Sequence, residues 1–86
     1  MFYVYILKSE RNKNFYTGCT KDLRKRFELH KNGKVEYTKK NGPWELVYYE
    51  ACVNSVDAYA REKYLKSGPG KRYVKNRLKI FLSLTG

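Results

Sequence analysis

At 86 residues the chain has room for one small core, and its 42% apolar content excludes a disordered segment. Nineteen Lys and Arg against eight Asp and Glu leave a net charge of +11, a field that draws polyanions such as nucleic acid. Two cysteines and one histidine exclude a Cys/His zinc site, and no apolar run approaches the length of a membrane span.

Phe2 to Leu7, rich in aromatic and β-branched residues, predicts a strand, and Phe15 to Cys19 a second, joined as a hairpin through polar Lys8 to Asn14. With Tyr5 set opposite Tyr16, Ser9 to Asn12 forms the turn. Both tyrosines then share one face, and Gly18 lies two residues along it. Thr20-Lys21-Asp22 offers an N-cap and an acidic first turn for a helix. In that helix Leu23, Phe27 and His30 share a stripe, with Arg26 beside it one turn before His30. Lys31 to Gly42, with two glycines, four lysines and no period, predicts a basic loop. Pro43 and Trp44 read as structural, pinning that loop to a third strand over Glu45 to Val53.

Asn54 or Ser55 then caps a helix that runs to Lys66. Glu62 sits between Ala58 and Leu65 on one stripe of it, where a carboxylate needs a partner or a metal. Ser67-Gly68 ends that helix, and Pro69 opens a last one with Val74, Leu78, Phe81 and Leu82 as its apolar stripe. Arg72, Lys75 and Lys79 cluster away from the stripe, and Asn76 falls roughly opposite it. The order β-β-α-β-α-α predicts an α+β fold: a three-stranded, mostly antiparallel sheet flanked by about three helices, in a single domain spanning 1–86. Phe2 to Leu7 has no charged leader or small-residue cleavage site and reads as a strand and not a signal peptide, so the cytoplasm is the expected address.

Five motif segments occur in order. Val4-Tyr5-Ile6 and Tyr16-Thr17-Gly18 place two tyrosines eleven residues apart. Gly18-x-Thr20-x-Asp22-Leu23-x-x-Arg26-x-x-x-His30 follows, then Pro43-Trp44-x-Leu46-Val47-Tyr48-x-Glu50 and Ala60-Arg61-Glu62-x-x-Leu65-Lys66. The set, over about residues 2 to 66, resembles the GIY-YIG nucleases, in particular their small stand-alone bacterial members. The first triplet departs from the family pattern, because neither its glycine nor its isoleucine precedes Tyr5.

The resemblance implies a metal-dependent endonuclease acting on DNA, structure- rather than sequence-directed, in repair or recombination, with one Mg²⁺ or Mn²⁺ per site. It implies that Arg26 takes the phosphate and Glu62 the metal. Tyr5 is then the general base or water-positioner, Tyr16 stands beside it, and His30 assists in proton transfer or phosphate contact. A polar residue near the chain's end also belongs to such sites, and Asn76 is the nearest candidate. Phosphodiester cleavage needs these parts on physical grounds: a water activator, a cation against the developing charge, and an arginine fork for phosphate oxygens. The basic residues Lys31, Lys34, Lys39, Lys40, Arg72, Lys75 and Lys79 are expected to hold a nucleic-acid backbone, DNA first and RNA left open. No membrane partner is expected, and a partner protein is one source of specificity. Two other classes compete: a module that binds branched or single-stranded nucleic acid without cutting it, and an adaptor for an acidic protein.

Residue by residue there is a plainer reading. Tyr5 and Tyr16 would be cross-strand partners, His30 a histidine favoured by a helix C-terminus, and Arg26 a solvated charge. Only geometry separates the two.

Overall fold

The apolar run near the N-terminus becomes the middle strand of a sheet covered on both faces, which is why it shows no polar alternation. The computed structural model describes residues 1–85. Its elements are β1 (Phe2–Ser9), β2 (Phe15–Thr20), α1 (Leu23–Lys31), α2 (Glu36–Lys39), β3 (Trp44–Cys52), α3 (Ser55–Lys66), α4 (Gly68–Arg77) and α5 (Lys79–Thr85). The three strands lie in the order β2-β1-β3, each pair antiparallel. The expected fold class is the one that forms.

Successive residues of β1 point to opposite faces, and the two faces differ in kind. Val4 and Ile6 are buried against Ala58 and Leu65 of α3 and Val74 of α4. Tyr5 and Leu7 are buried on the other side with Trp44, joined by Tyr16 of β2, Leu23 and Phe27 of α1, and Leu46. The first face is an ordinary core. The second has polar groups built into it.

The hairpin register differs by two residues from the one expected. Tyr5 pairs with Gly18, and Tyr16 with Leu7. Glycine is required there, since a Cβ on Gly18 would lie 2.4 Å from the Tyr5 Oη and 2.5 Å from its Cζ. The shift is an even number of residues, so both tyrosines still share the face assigned to them. The turn moves along to Glu10 to Lys13, closed by the Ser9 N–H donating to the Asn14 carbonyl at 2.8 Å.

Caps set the helix positions. Asp22 is itself the N-cap of α1, accepting from the Lys25 N–H, so no acidic residue stands in the first turn. Asn54 caps α3 by accepting from the N–H groups of Val56 and Asp57. Ser67 closes α3 and caps α4 through the Gly70 N–H, with Pro69 in the opening turn. The two helices meet so closely at Gly70 that a Cβ there would fall 1.9 Å from the Tyr64 carbonyl oxygen.

Two elements depart from expectation. The basic loop contains the single turn α2, which the aperiodic sequence does not announce. The last helix breaks at Leu78, whose backbone (φ −105°, ψ 17°) separates α4 from α5.

Candidate active site

Beneath the β1–β2 hairpin, four of the residues singled out from the sequence converge. His30, in the last turn of α1, is 2% exposed and so is no surface histidine. Its Nε2 lies 2.9 Å from the Tyr5 hydroxyl, and its Nδ1 lies 2.8 Å from Thr38 Oγ1. The Thr38 hydroxyl donates to the Val35 carbonyl at 3.3 Å, which leaves its oxygen to accept from His30 Nδ1–H. We therefore assign the proton to Nδ1. Nε2 is then a free base, and the Tyr5 O–H donates to it.

Trp44 closes this chain. Its indole N–H donates to the Thr38 carbonyl at 2.7 Å and ties α2 to the start of β3. This is the structural role expected of it. Thr38 was not legible as a site residue, because a polar residue in an aperiodic tract carries no face to read. It is nonetheless fully buried.

Around this chain the rings pack edge to face or tilted. Tyr16 lies 5.0 Å from His30 and 6.4 Å from Tyr5, and Tyr37 of α2 covers it at 5.5 Å. Arg26, half-buried one turn before His30, sets its guanidinium beside the Tyr5 and Tyr16 hydroxyls, which raises its pKa further. Among the described residues it forms no ion pair; its neighbours are neutral.

Electrostatics follow from burial and that arginine. Burial, and then the Arg26 charge, lower the His30 pKa to about 4, so the imidazole is neutral at physiological pH. Burial raises the Tyr5 pKa despite the opposing Arg26. Tyr5 thus holds its proton and points it at a neutral base.

Glu62 comes from α3. Its charge contributes to the raised pKa of Tyr5 and, after burial, to that of the Cys19 thiol. The carboxylate is half-buried and paired with Lys66 Nζ at 3.0 Å, one helical turn on. Among the described residues no group of three or more His, Cys, Asp or Glu gathers. A lone carboxylate suits Mg²⁺, a hard ion that keeps several waters and takes its other ligands from substrate phosphate. The i,i+4 pair with Lys66 is worth only about 0.3–0.5 kcal/mol, so a divalent ion can displace it.

Asn76 is exposed on α4, roughly opposite the buried Val74. Lys31, Lys34, Lys39, Lys40, Arg72, Lys75 and Lys79 are all exposed. No described helix is long and apolar enough to cross a membrane.

Comparison with known proteins agrees with this geometry. Residues 1–78 match the family model of the GIY-YIG catalytic domain. A UPF0213 protein of Clostridium perfringens is 46% identical over 67 residues, 77% of this chain and 71% of that one. One of Oceanobacillus iheyensis is 38% identical over 68 residues, covering 78% of each. One of Pediococcus pentosaceus is 35% identical over 85 residues, 98% of this chain and 88% of its own. No solved structure matches. With two tyrosines, an arginine and a histidine gathered on one side of the hairpin, and the family model matched over residues 1–78 of this chain, the chain belongs to the GIY-YIG family, a nuclease superfamily.

Proposed function

We propose that the protein is a metal-dependent endonuclease that hydrolyses phosphodiester bonds in DNA, in the cytoplasm, selecting substrate by structure more than by sequence. The observation that carries this reading is the Arg26 guanidinium. It is half-buried and surrounded by hydroxyls and a neutral imidazole, with no carboxylate among the described residues to satisfy it. A phosphate supplies the missing anion, and the planar fork donates to two of its oxygens.

The relay behind Arg26 then has a direction. Tyr5 presents its lone pairs to the arginine side and its proton to His30 Nε2. A water beside the phosphate gives its proton to the Tyr5 oxygen as Tyr5 passes its own to Nε2, so the phenol need not ionise first. Imidazolium formation opposes the Arg26 charge, and a phosphate bound on Arg26 offsets that repulsion. Binding substrate thereby makes His30 a better base. Tyr16, beside both rings, orients the water or the phosphate. Glu62, released from Lys66, would hold a Mg²⁺ or Mn²⁺ ion, which supplies a positive charge against the developing phosphorane. The exposed lysines and Arg72 hold the strand on either side.

The test is cleavage of duplex, single-stranded, flap and junction DNAs with Mg²⁺, Mn²⁺ or EDTA, using wild-type, Arg26→Ala and Glu62→Ala protein. We expect metal-dependent products, lost in both variants while binding and fold are retained. The salt bridge on Glu62 favours a second reading, a module that binds nucleic acid without cutting it. Intact substrate throughout, with affinity that falls steeply in salt, would establish that module and end the nuclease reading.

A further inference from the structure

A cavity of about 440 Å³ opens beside the relay on the β2 side of the sheet. Leu65 lies in its apolar floor, Phe15, Tyr16 and Tyr37 stand around it, and Lys66 and Lys71 complete the lining. Among the described residues, no acidic one lines it. Tyr37 is 78% exposed although its ring packs 5.5 Å from that of Tyr16, so a large aromatic surface is held in place and left in water. Tyr16 belongs to both the cavity and the catalytic cluster. Lys66 belongs to both the cavity and the Glu62 ion pair.

Resting on the nuclease reading above, we propose that this cavity is a subsite for one unpaired nucleotide of a DNA strand, next to the phosphate held at Arg26. The chemistry of the walls selects that occupant. Aromatic faces and an apolar floor take a flat π-surface, and two ammonium groups take the phosphate attached to it. An apolar peptide side chain would fill the floor and offer neither lysine an anion. A paired base cannot enter, because a duplex buries base faces in its stack and shows only edges in its grooves. The subsite therefore prefers single strands, flaps and bulges, and it places the scissile phosphate beside an unstacked base.

The preference is measurable without cleavage. Fluorescence anisotropy in EDTA, at moderate salt, compares a labelled 12-nucleotide single strand with its duplex, using wild-type, Tyr37→Ala and Tyr37→Phe protein. Base–aromatic stacking predicts a loss of roughly 5- to 140-fold in single-strand affinity for Tyr37→Ala. Duplex affinity should hold within roughly twofold, since duplex binding rests on phosphate contacts. Tyr37→Phe keeps the π-face and should bind like wild type. An abasic nucleotide at the occupied position should weaken the wild type and add nothing to Tyr37→Ala. Equal losses on single strand and duplex, or no loss at all, would overturn the subsite. So would a concentration-dependent dimer abolished by Tyr37→Ala, which would mark the cavity as a self-association face. A cleavage arm in Mg²⁺ keeps the two readings apart. Discrimination in EDTA with no product in Mg²⁺ retains the subsite and refutes the nuclease. Product formed equally from all substrates by wild-type and Tyr37→Ala protein does the reverse.

Discussion

Two arginines, one on either side of the sheet, meet their surroundings in opposite ways. Arg61 of α3 gives its Nε–H to Glu50 Oε1 at 2.8 Å and an Nη–H to Oε2 at 2.9 Å, and the Tyr48 hydroxyl completes the carboxylate at 2.7 Å. Tyr64 and Tyr73 lie under its guanidinium at 5.2 and 4.9 Å. Every polar group there has its partner, and the Arg61 guanidinium holds Glu50 below the usual carboxylate range. Arg26 has aromatic neighbours too, but theirs are neutral hydroxyls. A closed network stabilises; one missing an anion is ready to take one. The difference separates a structural arginine from a binding one where both are half-buried and both stand in motifs of the family.

Removing each arginine tests that separation, and the largest effect is expected at Arg26. Arg26→Ala should lower the cleavage rate by about 10²–10³-fold, the usual result of deleting one donor to a developing oxyanion. Arg26→Lys should recover little, because a point charge cannot present a planar fork. Thermal melting should stay close to wild type. A variant that melts early but cleaves normally when folded would show that Arg26 is a structural residue after all.

The next effect is in pH. His30 has a folded pKa of about 4 against an ordinary 6.5, so between these values the unfolded chain binds a proton that the native state refuses. The stability contributed is complete above pH ~6.5 and lost as pH falls towards ~4, about 3 kcal/mol in all. Urea unfolding at pH 7, 5.5 and 4.5 should show this loss, and His30→Gln should flatten it. An equally steep loss in His30→Gln would assign the acid sensitivity to other groups. Cleavage follows the same sign: neutral His30 persists well below pH 6.5, so the acid limb of the rate profile should lie there too.

Much of this was legible in the chain, and what was not has physical causes. The hairpin reading put Tyr5 and Tyr16 on one face, and parity survives a register error of two. The register itself depended on a contact no pattern displays, the Tyr5 ring lying over Gly18. Arg26 and His30 stood one turn apart on α1, so their meeting was readable from helical spacing. The buried state of His30 was not, because it depends on Thr38 in a four-residue helix too short to carry a period. Tyr37 was hidden for the same reason.

Thr38 supplies the third test. Thr38→Val keeps the shape but leaves His30 Nδ1–H buried without an acceptor, at a cost of about 1–3 kcal/mol. It also stops selecting the tautomer. An imidazole protonated on Nε2 cannot accept from Tyr5, so kcat should fall while KM, set by the basic surface, holds. Thr38→Ser restores the hydroxyl and should restore both stability and rate. A Thr38→Val protein of reduced stability but unchanged kcat would reduce Thr38 to a packing residue.

The smallest effect is expected on the closed side. Arg61→Ala strands Glu50 with Tyr48 as its remaining partner, but the two charged side chains are 31% and 22% exposed, so water recovers part of the loss. About 1–2 kcal/mol of destabilisation follows, a fall of roughly 4–16 °C in melting temperature for a chain of this size. Cleavage per folded molecule should not change. Glu50→Gln with Arg61→Ala should cost less than the sum of the two single changes, because each alone leaves an unsatisfied partner behind. Additive losses would mean the pair is not coupled. A fall in cleavage for folded Arg61→Ala would mean that the network is not closed, and that charge on one side of β1 is felt by the chemistry on the other.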